Sequence, residues 1–309
     1  MNATNSNPQN TDLLIIEKKN EVYITVDCDP NIQREISEFF TFYVPGYKFM
    51  PAFRTRMWDG KIRLFSQKTK EIYFGLYPYI KAFAEERKYT IVCGKNVDID
   101  HKVNRETVVK YCNSLGQKFE VRDYQIDAIY HSLKRNRMLL LSPTASGKSY
   151  IIYALIRYYS HLIKDESNNR ILLIVPTTSL VEQMYTDFES YGWNVKRNCH
   201  RLYSGYSNQT DKKVLISTWQ SLHRLPKEYF DQFGVVFGDE AHLFKAKSLT
   251  EIMTKLIDCK YRIGLTGTLD GALTHKLVLE GLFGAVNKVT STKKLIDKKQ
   301  LSNLAVRCL

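Results

Sequence analysis

The stretch MLLLSPTASGKS at residues 138–149 decides the fold of the larger part of this chain. Four apolar residues lead into a loop of small side chains, and the loop runs directly into an apolar helical segment, Tyr150 to Tyr159. Small side chains in such a strand, loop and helix allow backbone N–H groups to surround phosphate, and the helix N-terminus adds a partial positive charge. The stretch therefore predicts a nucleotide-binding loop on a parallel sheet.

The side chains of this loop have distinct predicted roles. Lys148 places a positive charge at the β- and γ-phosphates, and the Ser149 hydroxyl is the predicted ligand for Mg²⁺. Further nucleotide contacts are predicted for the four residues before the lysine, namely Thr144, Ala145, Ser146 and Gly147. Ser142 departs from the pattern G-x-x-x-x-G-K-[ST], in which this position is glycine. A helix that begins at Gly-Lys-Ser without binding any ligand is the alternative interpretation.

A pair of adjacent carboxylates, Asp239 and Glu240, follows the apolar strand Val235 to Phe237. Asp239 can hold Mg²⁺, directly or through water, and Glu240 can polarise an attacking water molecule. His242 follows the pair and is assigned to the same catalytic group. Taken alone the pair could equally be an exposed acidic turn. Its position several strands after the phosphate loop favours a site that binds ATP and Mg²⁺.

Two weaker patterns become informative when they are considered together with the phosphate loop and the acidic pair. Thr266 to Thr268 follows the apolar run Arg262 to Leu265, and its hydroxyls could couple the acidic site to nucleic acid. Arg122 and Gln125 precede the first strand of the parallel sheet, and the amide of Gln125 has both the donor and the acceptor that an adenine edge requires. Alone, the first pattern is a common turn and the second a solvated glutamine.

The length, charge and composition of the chain limit the classes of protein to which it can belong. The chain has 309 residues, which suggests two domains, and its net charge of +13 points to a polyanionic partner. It contains no apolar run of the roughly 18 residues that a membrane span requires, and no signal peptide. Six scattered cysteines without a C-x-x-C pair indicate reduced thiols rather than zinc ligands. We therefore expect a cytoplasmic protein, and exclude the secreted, disulfide-rich and transmembrane classes.

The order of the predicted elements indicates an α/β protein with two domains. Residues 1–12 are rich in Asn, Thr and Ser and are expected to form a disordered tail. Residues 13–118 suggest a small α+β DNA-binding domain with a hairpin at its start. In residues 119–285 apolar strands alternate with helices, which predicts a parallel sheet with helices on both faces. Residues 286–309 are expected to be a linker.

Positive charge is concentrated between residues 47 and 70, where seven Lys and Arg residues accompany one acid, Asp59. Aromatic residues lie between them, and we assign most of these aromatics to the core of the small domain. The basic side chains are more consistent with contacts to DNA phosphates, because they would otherwise repel one another. We expect a hairpin that turns at Asp59-Gly60 and presents four of them together: Arg54, Arg56, Lys61 and Arg63.

In chain order these motifs resemble those of superfamily-2 helicases. The resemblance covers the adenine-reading motif at 122–125, motif I at 142–149, motif Ia at 175–183 and motif II at 239–242. It extends to the strand-end motif at 217–222 and to motif III at 265–269. The segment FRTRMWDGKIRL at residues 53–64, followed by FGL at 74–76, is similar to the small N-terminal domain of phage UvsW-type helicases.

The resemblance implies a RecA-like motor domain over residues 119–285 and an ATP-dependent DNA helicase. It implies action on branched DNA or R-loops in phage recombination, replication and repair, so that DNA and RNA–DNA hybrids are the expected partners. The implied location is the cytoplasm of the host cell, with no membrane partner. Three hydroxyl residues are the implied contacts to the backbone of one strand: Thr177, Thr178 and Thr218.

Helicases of this class close ATP between two RecA-like domains. Only about 40 residues follow Gly267, too few for a second such domain, so we expect this chain to bind ATP weakly and not to unwind DNA by itself. Two alternatives stay open: a translocase on double-stranded DNA, which shares motifs I to III, and an ATP-responsive DNA-binding module without turnover.

Overall fold

The computed structural model describes residues 12–98, 100–243, 246–269 and 273–297. The chain forms two compact units that divide between residues 98 and 99. Except for Asp12, the predicted N-terminal tail lies outside the described residues, and so does the predicted linker from residue 298 onward.

The smaller unit is built on a five-stranded sheet. Its elements are β1 (Leu13–Lys18), β2 (Tyr23–Asp27), α1 (Pro30–Phe39), β3 (Thr41–Tyr43), α2 (Pro51–Arg54), β4 (Lys61–Arg63), β5 (Phe65–Ser66), β6 (Glu71–Tyr73), α3 (Tyr77–Arg87) and β7 (Thr90–Cys93). The strand order is β5-β6-β2-β1-β7, and only the β1–β7 pair is parallel.

The start of this unit forms as its sequence predicts. β1 and β2 pair antiparallel, and the Asn20 side chain accepts hydrogen bonds from the backbone N–H groups of Val22 and Tyr23 in the turn. Asp29 caps α1 by accepting from the backbone N–H of Asn31 at 2.8 Å, with Pro30 as the first helical residue. The predicted hairpin and the predicted helix start are both confirmed.

The basic segment folds differently from the predicted hairpin. Arg54 ends the short helix α2, and Arg56 has a left-handed backbone with φ of 58°. β4 pairs antiparallel with β3, so that Arg63 lies opposite Thr41, and it does not pair with residues 54–56. The hairpin prediction was wrong because Pro51 favours a helix start and β3 supplies a β-branched and aromatic strand as the better partner.

The larger unit is an α/β sandwich. Its elements are α4 (Arg105–Asn113), α5 (Asp123–Lys134), β8 (Arg137–Leu141), α6 (Lys148–Leu162), β9 (Arg170–Val175), α7 (Thr178–Ser190), α8 (Val195–Asn198), β10 (Cys199–Leu202), β11 (Val214–Thr218), α9 (Trp219–Leu222), β12 (Phe233–Gly238), α10 (Ala246–Lys255), β13 (Tyr261–Thr266), α11 (Leu273–Phe283), β14 (Val286–Lys288) and α12 (Thr292–Asp297).

Its seven strands are all parallel, in the order β10-β11-β9-β12-β13-β8-β14. The central strands are buried on both faces, as their near-continuous apolar sequences predict, and the expected fold class is confirmed. Two edge strands were not predicted: β10 has a polar middle, and β14 has a single apolar residue. Within the described residues, no helix combines the length and apolarity that crossing a membrane requires.

The observed boundaries of the larger unit differ from the expected domain boundaries at two places. Val108 and Cys112 of α4 are buried in the core of the larger unit, and the Tyr111 hydroxyl donates to the Ala154 carbonyl at 2.7 Å. The division therefore lies before α4 and not near residue 118, because an amphipathic helix packs wherever its apolar face is covered. Residues 286–288, expected in the linker, form β14 and extend the sheet beside β8.

Candidate functional site

Three adjacent strands of the larger unit bring the predicted nucleotide residues to one edge of the sheet. The phosphate loop follows β8, Thr266 ends β13, and Asp239 follows β12. Because parallel strands present their carboxyl ends at the same edge, residues more than a hundred positions apart meet there. The structure thus brings together motifs that the sequence shows only separately.

Ser142, which replaces the first glycine of the loop pattern, is fully buried and closes the loop on itself. Its hydroxyl lies 2.7 Å from that of Ser146, which also bonds the Pro143 carbonyl at 2.6 Å. The backbone N–H of Ser142 donates to the Thr266 carbonyl at 2.8 Å. The departure from the pattern therefore adds a side-chain brace to the loop and ties it to the end of β13.

Glycine is required at position 147 both by the left-handed backbone conformation and by the close approach of a neighbouring side chain. Its φ is +79°, and a Cβ at this position would lie 2.3 Å from Nε2 of Gln125. Gln125 is only 4% exposed; its Nε2 donates to the Ser146 carbonyl at 3.0 Å, and its Oε1 accepts from the Arg122 N–H at 3.0 Å. Gln125 thus holds the start of α5 against the phosphate loop. Its contact with adenine, and that of Arg122, stay predictions.

Lys148, Glu240, His242 and Thr266 form a continuous chain of polar contacts. The Lys148 ammonium pairs with Oε1 of Glu240, and Oε2 of Glu240 lies 3.4 Å from Nδ1 of His242. The same His242 nitrogen is 2.7 Å from the Thr266 hydroxyl. Glu240 has a left-handed backbone with φ of 48°, which is uncommon for a residue with a side chain. The chain links the three predicted motifs that follow β8, β12 and β13.

Asp239 is suited to hold a cation. It is 2% exposed, and its Oδ1 has no hydrogen-bond partner among the described residues. Burial raises the pKa of Asp239 to about 6, an effect that the Lys148 charge opposes and the Glu240 charge reinforces. An orphaned carboxylate oxygen fits Mg²⁺, which prefers hard oxygen ligands, so Asp239 and the Ser149 hydroxyl would hold the ion.

Replacing Asp239 with asparagine is expected to stabilise the Mg²⁺-free protein at neutral pH. Because the folded pKa exceeds the usual value of 3.8, the penalty for the buried charge grows as the pH rises from about 4 to about 6 and is complete above it. The uncharged amide removes this penalty, on the order of 1–3 kcal/mol. Thermal unfolding at pH 4 and pH 7.5 would measure it. A difference between variant and wild type that does not grow with pH would contradict this explanation.

The hydroxyl residues predicted to grip nucleic acid lie at the same edge of the sheet. Thr177 and Thr178 follow β9 and are exposed; the Thr177 side chain caps α7 by accepting from the Leu180 N–H at 3.3 Å. Thr218 ends the neighbouring β11 but is only 4% exposed, and its hydroxyl lies 3.1 Å from that of Ser221. Thr177 and Thr178 are therefore better placed for a ligand than Thr218.

The basic segment of the smaller unit surrounds an open cleft of about 570 Å³. Its walls comprise Lys48, Phe53, Arg54, Arg56, Met57, Trp58 and Asp59. Of the other predicted DNA contacts, Lys61 lies 4.9 Å from the centre of the Tyr43 ring, and Arg63 pairs with Asp59. Phe49 and Met57 are 77% and 85% exposed, so Phe49 does not belong to the core to which we assigned these aromatics. Lys48, one of the seven basic residues of this segment, also lines the cleft, and its contact with DNA stays a prediction.

Two family models match the chain, one in each unit. Residues 16–94 match the N-terminal domain of DNA helicase UvsW, and residues 118–271 match the res subunit of type III restriction enzymes. The second match spans the phosphate loop and the acidic pair. It is accompanied by similarity to the DNA 3'-5' translocase XPB2 of Sulfurisphaera tokodaii, 26% identical over 50% of this chain and 32% of that protein.

A relative from a phage is similar over nearly the whole chain. ATP-dependent DNA helicase uvsW of Enterobacteria phage T4 is 32% identical over 93% of this chain and 58% of that protein, so the chain spans little more than half of its length. A crystal structure of the UvsW helicase from bacteriophage T4 superimposes with a TM-score of 0.79 at 32% identity, over 89% of this chain and 99% of that one. This chain belongs to the UvsW-type family of superfamily-2 helicases.

Proposed function

We propose that this chain carries the ATP site and the DNA-contacting surfaces of an ATP-dependent DNA helicase that acts on branched DNA or R-loops in phage recombination, replication and repair. The observation that carries the proposal is the contact chain from Lys148 through Glu240 and His242 to Thr266, beside the orphaned oxygen of Asp239. A structural ion pair alone would not require a buried carboxylate oxygen without a hydrogen-bond partner next to a phosphate-type loop. Family membership supports the same chemistry.

The geometry suggests how the nucleotide would engage these residues. Without phosphate, the Lys148 ammonium is neutralised by Glu240. A γ-phosphate competes for that ammonium, which leaves Oε1 of Glu240 available to accept a proton from water. Bound Mg²⁺ would neutralise negative charge on the β- and γ-phosphates. His242 contacts the second carboxylate oxygen of Glu240 and also the Thr266 hydroxyl, so a change at Glu240 reaches motif III, whose hydroxyls are predicted to couple the acidic site to nucleic acid.

The variant Glu240→Gln tests the chemical part of the proposal. It should still bind ATP, because Lys148, Ser149 and Asp239 remain, but its hydrolysis should fall by about 10²–10⁴-fold because the amide cannot accept the proton. The measurements are steady-state ATP hydrolysis with and without a four-way DNA junction, and calorimetric binding of a non-hydrolysable ATP analogue. Glu182→Gln is the matched control, since it also removes an ion pair, with Arg201, outside the contact chain.

The outcomes separate the possible functions. Unchanged hydrolysis by Glu240→Gln would show that another group activates the water. A wild-type chain that binds ATP and DNA but releases no phosphate would be a binding module without turnover. Equal affinities for a junction, a linear duplex and an R-loop would remove branched DNA and R-loops as the preferred ligands.

A translocase on double-stranded DNA is the second candidate function. The observations that favour it are the match of residues 118–271 to a restriction-enzyme subunit and the similarity to a DNA 3'-5' translocase. A translocase displaces the third strand of a triplex without separating the duplex, whereas a helicase separates the duplex. Strand-displacement and triplex-displacement assays on the full-length protein, with the same DNA length, would decide between them.

A further inference from the structure

Ser149, the predicted hydroxyl ligand of Mg²⁺, has a side-chain partner that no sequence motif indicates. Its Oγ lies 2.8 Å from the hydroxyl oxygen of Tyr191, a residue 42 positions away in the chain. Tyr191 directly follows α7, and its backbone N–H donates to the Asp187 carbonyl at 3.0 Å. The contact therefore connects the first turn of α6 with the end of α7.

The position of the Tyr191 hydroxyl is fixed by the packing of its ring. The ring lies against three other aromatic rings, those of Phe119, Tyr150 and Tyr153, with centroid distances of 5.7, 5.7 and 5.2 Å. The Tyr153 hydroxyl also contacts the Tyr191 carbonyl, at 3.5 Å. Because several contacts fix the Tyr191 ring, its hydroxyl oxygen is held at one position. This is expected of a group that orients a neighbouring ligand side chain.

The donor and acceptor groups of a serine hydroxyl indicate what this contact does when Ser149 binds a cation. The hydroxyl has one proton to donate and two lone pairs, and a cation takes a lone pair. Its proton must then point away from the cation toward an acceptor. We propose that Tyr191 is a positioning residue for Mg²⁺, whose phenolic oxygen accepts the Ser149 proton and keeps a lone pair of Ser149 directed at the metal. This inference rests on the proposed ATP site.

The variant Tyr191→Phe tests this role because it removes one oxygen and keeps the ring in its aromatic cluster. The loss of one hydrogen bond that orients a ligand should raise the Mg²⁺ concentration for half-maximal nucleotide binding by about two- to tenfold. The measurement is a titration of Mg²⁺ into the 309-residue chain with a fluorescent, non-hydrolysable ATP analogue. Nucleotide binding in EDTA should not change, since Tyr191 acts on the metal ligand alone.

Two further variants make the result specific. Tyr150→Phe removes a tyrosine hydroxyl from the same cluster, one that donates to the Cys112 carbonyl at 3.4 Å, and it should leave the Mg²⁺ requirement unchanged. In a Ser149→Ala background, Tyr191→Phe should have no additional effect, because its action passes through the missing hydroxyl. Thermal unfolding of each variant reports whether the cluster is still packed.

Several results would overturn the inference. These are an unchanged or lowered Mg²⁺ requirement in Tyr191→Phe, an equal rise in Tyr150→Phe, or a full additional effect in the Ser149→Ala background. A wild-type chain whose nucleotide binding is independent of Mg²⁺ would instead overturn the proposed function, and this inference with it.

Discussion

Replacing Lys148 with alanine is expected to weaken binding of Mg-ATP at least tenfold and to lower any ATP hydrolysis by about 10²–10³-fold. In the proposed site the ammonium is the positive charge nearest to the transferred phosphate, and preorganised charges of this kind contribute several kcal/mol to the transition state. The fold should persist, because the Lys148 side chain pairs with Glu240 at the sheet edge and is not part of the apolar core.

The measurements for Lys148→Ala are calorimetry with a non-hydrolysable ATP analogue and steady-state hydrolysis. Lys260→Ala is the matched control: Lys260 lies 5.2 Å from the centre of the Tyr261 ring, at the opposite, amino end of β13. Both variants lose one lysine, so a shared effect would reflect net charge only. An unchanged ATP affinity in Lys148→Ala would remove the phosphate loop from the nucleotide site.

The second large effect is expected in the smaller unit, where alanine replaces Arg54, Arg56, Lys61 and Arg63. Each lost phosphate contact should reduce the slope of log K against log salt by about 0.9. Arg63 already pairs with Asp59, so three to four contacts are lost, which predicts a slope change of about 2.7–3.6. Relative to 1 M salt, where phosphate contacts contribute little, this slope change corresponds at 0.1 M salt to DNA binding weakened by about 500- to 4,000-fold.

The loss should be similar for any DNA sequence, because phosphates carry no base information, and ATP affinity should stay unchanged. The measurement is a DNA titration at several salt concentrations. A matched control removes four positive charges from the same unit outside the basic segment: Lys19, Arg34, Lys81 and Lys95. Equal affinities and equal salt slopes in wild type and the patch variant would place the DNA site on the larger unit, where Thr177 and Thr178 are exposed.

Local patterns sufficed for most of the secondary structure and for the fold class. The strand before the phosphate loop, the apolar helix after it and the Asp29 cap of α1 all form where the residues predict them. In these cases the relevant information is a burial periodicity or a capping side chain within a few residues. The order of the motifs also predicted that Lys148, Asp239 and Glu240 would meet, since the ends of parallel strands share one edge.

Only the tertiary structure decided the features that depend on distant partners. β4 pairs with β3 instead of residues 54–56, α4 packs into the larger unit, and Tyr191 reaches Ser149 across 42 positions. Which strands pair and where a helix packs depend on which apolar surfaces can cover each other once the chain has closed long loops. Residue spacing along the sequence does not specify these long-range contacts. A sequence pattern therefore indicates which residues can perform the chemistry, whereas long-range packing determines which neighbours orient them.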